Sequence, residues 1–121
     1  MVDVHSGQIQ GFFGPRVPVD NLEANLVAMN YFVEQQKFPL TDVVVISPDA
    51  GGVTRAKNFQ ALLHSVGVKN SSLAMIIKQR KGAGEIGSMH MVGNVAGKQA
   101  IIIDDIIDTA GTLAEATKTL K

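Results

Sequence analysis

Three short apolar runs constrain this chain more than any other feature of it: Val43-Val44-Val45-Ile46, Leu73-Ala74-Met75-Ile76-Ile77 and Ala100-Ile101-Ile102-Ile103. None alternates apolar with polar residues, so none can lie with one face in water. They are strand-length, and runs of this kind suit strands covered on both faces, as in a parallel sheet. Between the first two, Val53, Ala56, Phe59, Leu62, Leu63 and Val66 share one side of an amphipathic helix that Gly67 ends. Strand, helix, strand is a βαβ unit, and such crossovers are almost always right-handed.

The rest of the chain is read around this unit. Val2-Asp3-Val4-His5 alternates like a half-buried strand, and the Gly- and Pro-dense stretch Gly11 to Pro18 reads as a loop. Asp20 and Glu23 form a capping box with Asp20 as N-cap, ahead of a helix carrying Leu22, Leu26, Met29 and Val33 to about Gln36. Met89 to Val95 reads as a short extra strand, and Thr112 to Lys121 as a helix. The order β-α-β-α-β-loop-β-β-α defines the α/β class.

With 121 residues the chain is enough for one compact domain. Eleven acids balance eleven bases, which gives no electrostatic case for nucleic acid or a membrane surface. The local cluster Lys78-Gln79-Arg80-Lys81 points to a small anion instead. The absence of cysteine excludes disulfides, thiolate zinc sites and a cysteine nucleophile. With no apolar run near membrane-helix length and no signal-peptide pattern, a cytoplasmic protein is expected. The strand-like start and the stop inside a helical pattern lead us to expect a partial chain, incomplete at both ends.

In an open α/β sheet, ligands sit outside the carboxyl ends of the strands. Here those ends are Ser47 to Gly52, Lys78 to Ser88 and Asp104 to Thr112, and the unusual chemistry gathers at all three. Asp104-Asp105-Ile106-Ile107-Asp108 spells DDxxD, which on helices binds magnesium diphosphate. Here it follows a strand, so it reads as an acidic turn leading through Thr109-Ala110-Gly111-Thr112 into a helix. Small residues let backbone N–H groups converge on a phosphate, and the helix N-terminus adds a favourable field. The acids before them suit the hydroxyls of a sugar. The plainer alternative is a helix N-cap with solvated acids. Asp49-Ala50-Gly51-Gly52 forms a second glycine turn, able to approach diphosphate oxygens, with Asp49 near a metal; alternatively it is a simple capped βα turn. Gly82-Ala83-Gly84-Glu85-Ile86-Gly87 spells GxGxxG but lacks a strand immediately before it and a helix within it. We read Lys78 to Ser88 as a basic loop that closes on a reacting phosphoryl group. Asp3 and His5, two apart on the expected strand, share a face and can serve a divalent cation. Met29, Met75, Met89 and Met91 read as core fillers, and His64 and His90 as structural residues with no evident partner.

Together the segments "DVHSGQIQGFF", "VPVDNL", "VVISPDAGG", "IIKQRK" and "IIIDDIIDTAGTL" resemble the ribose-phosphate diphosphokinase family, in that family's order and over nearly the whole chain. The resemblance implies a three-layer α/β/α phosphoribosyltransferase-like domain over 20–121, preceded by a strand and loop from an inter-domain region over 1–19. It implies a role in nucleotide biosynthesis: diphosphate passes from ATP to the 1-hydroxyl of ribose 5-phosphate with Mg²⁺. By matching positions, Asp108 to Thr112 hold the 5-phosphate, with Arg80 also on this substrate, and Asp104 and Asp105 take the ribose hydroxyls. Lys78 and Arg80 stabilise the transferring groups, His5 meets ATP, and His5, Asp49, Asp3 and Asp20 serve the metal. A hexamer-type homo-oligomer is implied for full-length members. The chain departs from the family pattern at Gly14-Pro15-Arg16, where members have fewer residues and often an acid. Other readings are a base-specific phosphoribosyltransferase, which leaves "DVHSGQIQGFF" unexplained, or a non-catalytic regulatory subunit, which the intact loop residues oppose.

Overall fold

The computed structural model describes residues 1–35, 39–78 and 88–120. Its centre is β1, Val43–Ser47, in which every residue is buried. A strand that can offer no face to water needs neighbours on both sides and layers above and below, and β1 has all four. On one edge it pairs in parallel with β2, Ser71–Lys78, and on the other with β4, Gln99–Ile102. Val45 thus sits between Leu73 and Ile101. The fourth strand, β3 (Met89–Val92), runs antiparallel to β2, so the sheet is mixed, in the order β3-β2-β1-β4.

Alternate residues of a strand face opposite sides, and here both sides are apolar. Val43, Val45 and Ile101 pack under α1 (Asn25–Gln35) and α2 (Val53–Ser65), with Met29, Ala56, Phe59 and Leu63 completing that core. Phe59 meets Phe32 of α1 edge to face, with ring centroids 6.1 Å apart. Val44, Ile46, Ala74 and Ile76 face the other way, against Ala116 of α3 (Gly111–Thr119). These are the three layers the runs called for. β3 lies at the edge and does alternate: Met89 and Met91 turn partly inward against the second core, while His90 and Val92 face out. It ends at Gly93, whose φ of +115° and close approach to β2 exclude a side chain: a Cβ there would lie 2.8 Å from the Ala74 Cβ and 2.9 Å from the Leu73 carbonyl oxygen. The strand therefore stops short of Val95.

The first 24 residues depart most from expectation. Val2 to His5 is not a strand: Asp3 takes φ 45°, which breaks the alternation, and the β pairing left among the described residues is a parallel bridge between Val2 and Leu22. Asp3 and His5 therefore do not share a strand face. Asp20 does not cap a helix. Its carbonyl accepts the N-terminal amine of Met1 at 2.7 Å, and α1 begins only at Asn25. It is the Asp3 carboxylate that accepts the Ala24 N–H, at 3.1 Å, as the chain enters α1. Leu22 and Leu26, expected on the buried face, are exposed, while Met29 is buried. Gly7–Phe12 forms a 3₁₀ helix where a loop was expected from Gly11. His64 and His90 do have partners, the hydroxyls of Ser71 and Ser88 at 2.8 and 3.1 Å.

Candidate functional site

β2 and β4 flank β1 on opposite edges, and the helices that follow β1 and β4 cover opposite faces of the sheet. Chain direction therefore diverges at the carboxyl ends of β1 and β4, which opens a crevice there. The two turns that sequence reasoning singled out line it.

The turn after β1 is closed by its own side chains. Buried Ser47 donates from Oγ to the Asp49 carbonyl at 2.6 Å, and Asp49 Oδ1 accepts the Gly52 N–H at 2.9 Å. Gly52 has no room for a side chain, since a Cβ would come within 2.7 Å of Ser47 Oγ and 4.0 Å of the Ile103 carbonyl on the neighbouring turn. The Asp49-Ala50-Gly51-Gly52 turn is thus both a capped βα turn and a wall of the crevice.

The turn after β4 is anchored by the Ile103 N–H on the Ile46 carbonyl at 3.0 Å. It then winds through Asp104, Asp105 and Asp108 to Ala110, held left-handed at φ 58° immediately before α3. As N-cap, Ala110 brings no side-chain hydrogen bond to α3. A left-handed residue ahead of a helix turns successive backbone N–H groups inward, the arrangement that concentrates positive potential for an anion. Asp104, Asp108, Thr109, Ala110, Gly111 and Thr112 border a hollow of about 140 Å³ at this place.

The two adjacent acids are in contrasting surroundings. Asp104 Oδ1 accepts the Asp105 N–H at 3.0 Å. Its pKa is nonetheless raised, by burial first and by the charges of Asp105 and Asp49 beside it. Asp105 is 8% exposed, and burial pushes its carboxyl upward too. The hydrogen bond from His5 and the charges of Arg55 and His5 outweigh that and hold it below the ordinary carboxylate value. Both partners meet the same oxygen: His5 Nδ1 lies 2.8 Å and Arg55 Nη2 3.0 Å from Asp105 Oδ2.

The structure brings Asp49, Asp104, Asp105, His5 and the 108–112 turn to one end of the sheet. Lys78 closes β2 and pairs with Met89. Arg80 and the rest of 79–87 lie outside the described residues, and so do the basic loop and its GxGxxG string. Asp3 borders a second, polar hollow of about 190 Å³ with Gly51, Thr54 and Arg55. Asp20 is exposed. Among the described residues, no three acid or imidazole groups converge as a ready metal cage, so His5, Asp49, Asp3 and Asp20 do not form one cluster. The donor set that remains, Asp49 beside Asp104, fits Mg²⁺, which takes one or two carboxylates and draws its other oxygens from substrate and water. Arg55 was missed in the sequence. The available signal was a cation in the first turn of a helix that starts from an acid-bearing crevice.

Comparison with known proteins agrees with this architecture. The phosphoribosyl transferase domain family matches residues 19–121. A ribose-phosphate pyrophosphokinase of Cereibacter sphaeroides is 45% identical over 119 residues, covering 98% of this chain and 33% of the relative. One from Listeria ivanovii is 46% identical over 120 residues, covering 99% and 35%. Among solved structures, the phosphoribosylpyrophosphate synthetase from Mycobacterium smegmatis superposes with a TM-score of 0.77 at 40% identity, over 98% of this chain and 35% of that one. The chain spans about a third of the length of the curated relatives it matches.

Proposed function

Since the chain belongs to the phosphoribosyl transferase domain family, we propose that it is the ribose 5-phosphate-holding part of a ribose-phosphate diphosphokinase. The observation that carries this is the left-handed Ala110 turn into α3, directly after the carboxylate pair Asp104–Asp105. A sugar phosphate has the same two kinds of end, an anion and a diol. Its phosphate enters the 108–112 hollow, and its vicinal hydroxyls donate to the carboxylates. The 1-hydroxyl then points along the crevice toward the Asp49–Gly52 turn, where ATP would present its phosphates.

Bound Mg²⁺ would neutralise phosphate charge there, with Asp49 and Asp104 as its protein ligands. In-line phosphoryl transfer asks for positioning and charge neutralisation more than for a covalent nucleophile. The crevice supports this reading through Asp105, held below the ordinary carboxylate value, and through a first turn closed by Ser47 and Asp49. Lys78 and Arg80 would meet developing charge on the transferring group, as the family resemblance implies. His5 is assigned to ATP as well as to Asp105. In this reading residues 1–19 lead from an inter-domain region into a C-terminal domain over 20–121, and the assembled enzyme is a cytoplasmic homo-oligomer. The isolated chain is expected to turn over poorly.

Calorimetric titration of this chain with ribose 5-phosphate in Mg²⁺ buffer tests the reading. Binding is expected, competed by inorganic phosphate, and weakened about tenfold in Asp108→Ala through the disturbed cradle. Absence of binding in the unmodified chain would refute it.

A further inference from the structure

Arg55 belongs to neither turn that holds the sugar phosphate, yet it joins them. It lies in the first turn of α2, just beyond the Gly51-Gly52 wall, and its guanidinium crosses to the turn after β4 to meet Asp105. Two things make this contact more than a surface ion pair. The Asp105 side chain is 8% exposed and that of Arg55 is 21% exposed, so water screens the pair poorly. Secondly, Arg55 and His5 both bind Oδ2. Neither Arg55 nor His5 occupies Oδ1, so that oxygen can face the crevice. Two donors on one oxygen restrict the rotation of the carboxylate and bias the direction of its other oxygen.

Of the two holders, His5 is 73% exposed and sits on the amino-terminal segment, whereas Arg55 is built into a helix of the core. We propose that Arg55 is a positioning residue. It fixes Asp105 so that Oδ1 accepts from the sugar diol, and it locks the β1 and β4 walls of the crevice at the separation the diol needs. This rests on the ribose 5-phosphate reading above and adds to it the source of discrimination for a sugar with vicinal hydroxyls. Arg55 does not border the 108–112 hollow, so its removal should separate sugar recognition from phosphate recognition.

The test is titration of the chain, in the same buffer, with ribose 5-phosphate, 2-deoxyribose 5-phosphate and inorganic phosphate. The unmodified chain should prefer the ribose compound over its deoxy analogue. Arg55→Met should bind ribose 5-phosphate about tenfold more weakly and lose that preference, as expected for loss of a charge-assisted contact, with its affinity for inorganic phosphate unchanged. Arg55→Lys should recover most of the preference, which a merely structural role does not predict. If Arg55→Met fails to give a native amide spectrum, Arg55→Gln takes its place. A preference kept without the guanidinium, a parallel loss of phosphate affinity, or no recovery with lysine overturns the proposal while leaving the ribose reading intact. An unmodified chain that binds ribose 5-phosphate without preferring it to the deoxy analogue overturns the proposal through its premise.

Discussion

Asp104 and Asp105 are chain neighbours whose carboxyls are shifted in opposite directions, upward by burial and two nearby acids in one case, downward by His5 and Arg55 against burial in the other. The sign follows for stability. Asp105 has a folded pKa below its unfolded one, so its contribution is present at neutral pH and disappears as pH falls through the folded value. Asp104 has a folded pKa above its unfolded one. Its contribution is full only in acid and is lost as pH rises through the raised value. Asp104→Asn keeps an oxygen for the Asp105 N–H but removes the charge. It should therefore raise the urea midpoint at pH 7, and the gain should vanish on acidification below the ordinary carboxylate range. A midpoint lowered at pH 7 would contradict the electrostatic account. These carboxylates could be found in the sequence because acids ending an apolar run are conspicuous. Their partners could not, because Arg55 is fifty residues from Asp105 and His5 a hundred.

At the scale of elements, legibility followed burial. β1, β2, β4 and α2 were readable because each is an apolar run or face with no alternative fate, and their cores contain the residues the runs named. The antiparallel sense of β3 was not readable, since four residues of alternating pattern suit either direction of an edge. The start of α1 was misplaced because Asp20 and Glu23 imitate a capping box, while the acceptor that meets the entering chain, Asp3, is twenty-one residues upstream of Ala24. β3 offers a sharp test of element packing. Gly93→Ala must both accept a left-handed φ and push against the Leu73 carbonyl and Ala74. Chemical denaturation should show a loss of about 3 kcal/mol from overpacking and backbone strain together. A loss confined to a few tenths would mean that β3 shifts freely on β2.

For the molecule as a whole, two regions of unequal tenacity are joined at the crevice. The amino-terminal segment is held by few bonds: the Met1 amine on Asp20, the Val2–Leu22 bridge, Asp3 on Ala24, Val4 on Asn21 and His5 on Asp105. Val2 and Leu22 are both 63% exposed, so little apolar burial supports that bridge. Local opening draws on such regions first. In hydrogen exchange the amides of Asp3 and Leu22 should exchange long before those of Val44 to Ile46, with saturating ribose 5-phosphate slowing Asp105 more than the segment itself. The pairing of β1 with β4 has a further consequence, in time rather than in space. Val43 is matched to Gln99, more than fifty residues downstream, whereas the β2–β3 pairing joins near neighbours. Closing long loops is slow, and synthesis proceeds from the amino end. A nascent chain can thus assemble β1, α2, β2 and β3 before any crevice exists, and the proposed sugar-phosphate site is absent until β4 arrives. On the ribose 5-phosphate reading, ligand stabilises only the completed fold, so the amplitude of the melting transition that ribose 5-phosphate shifts counts finished molecules and passes over every partly built one.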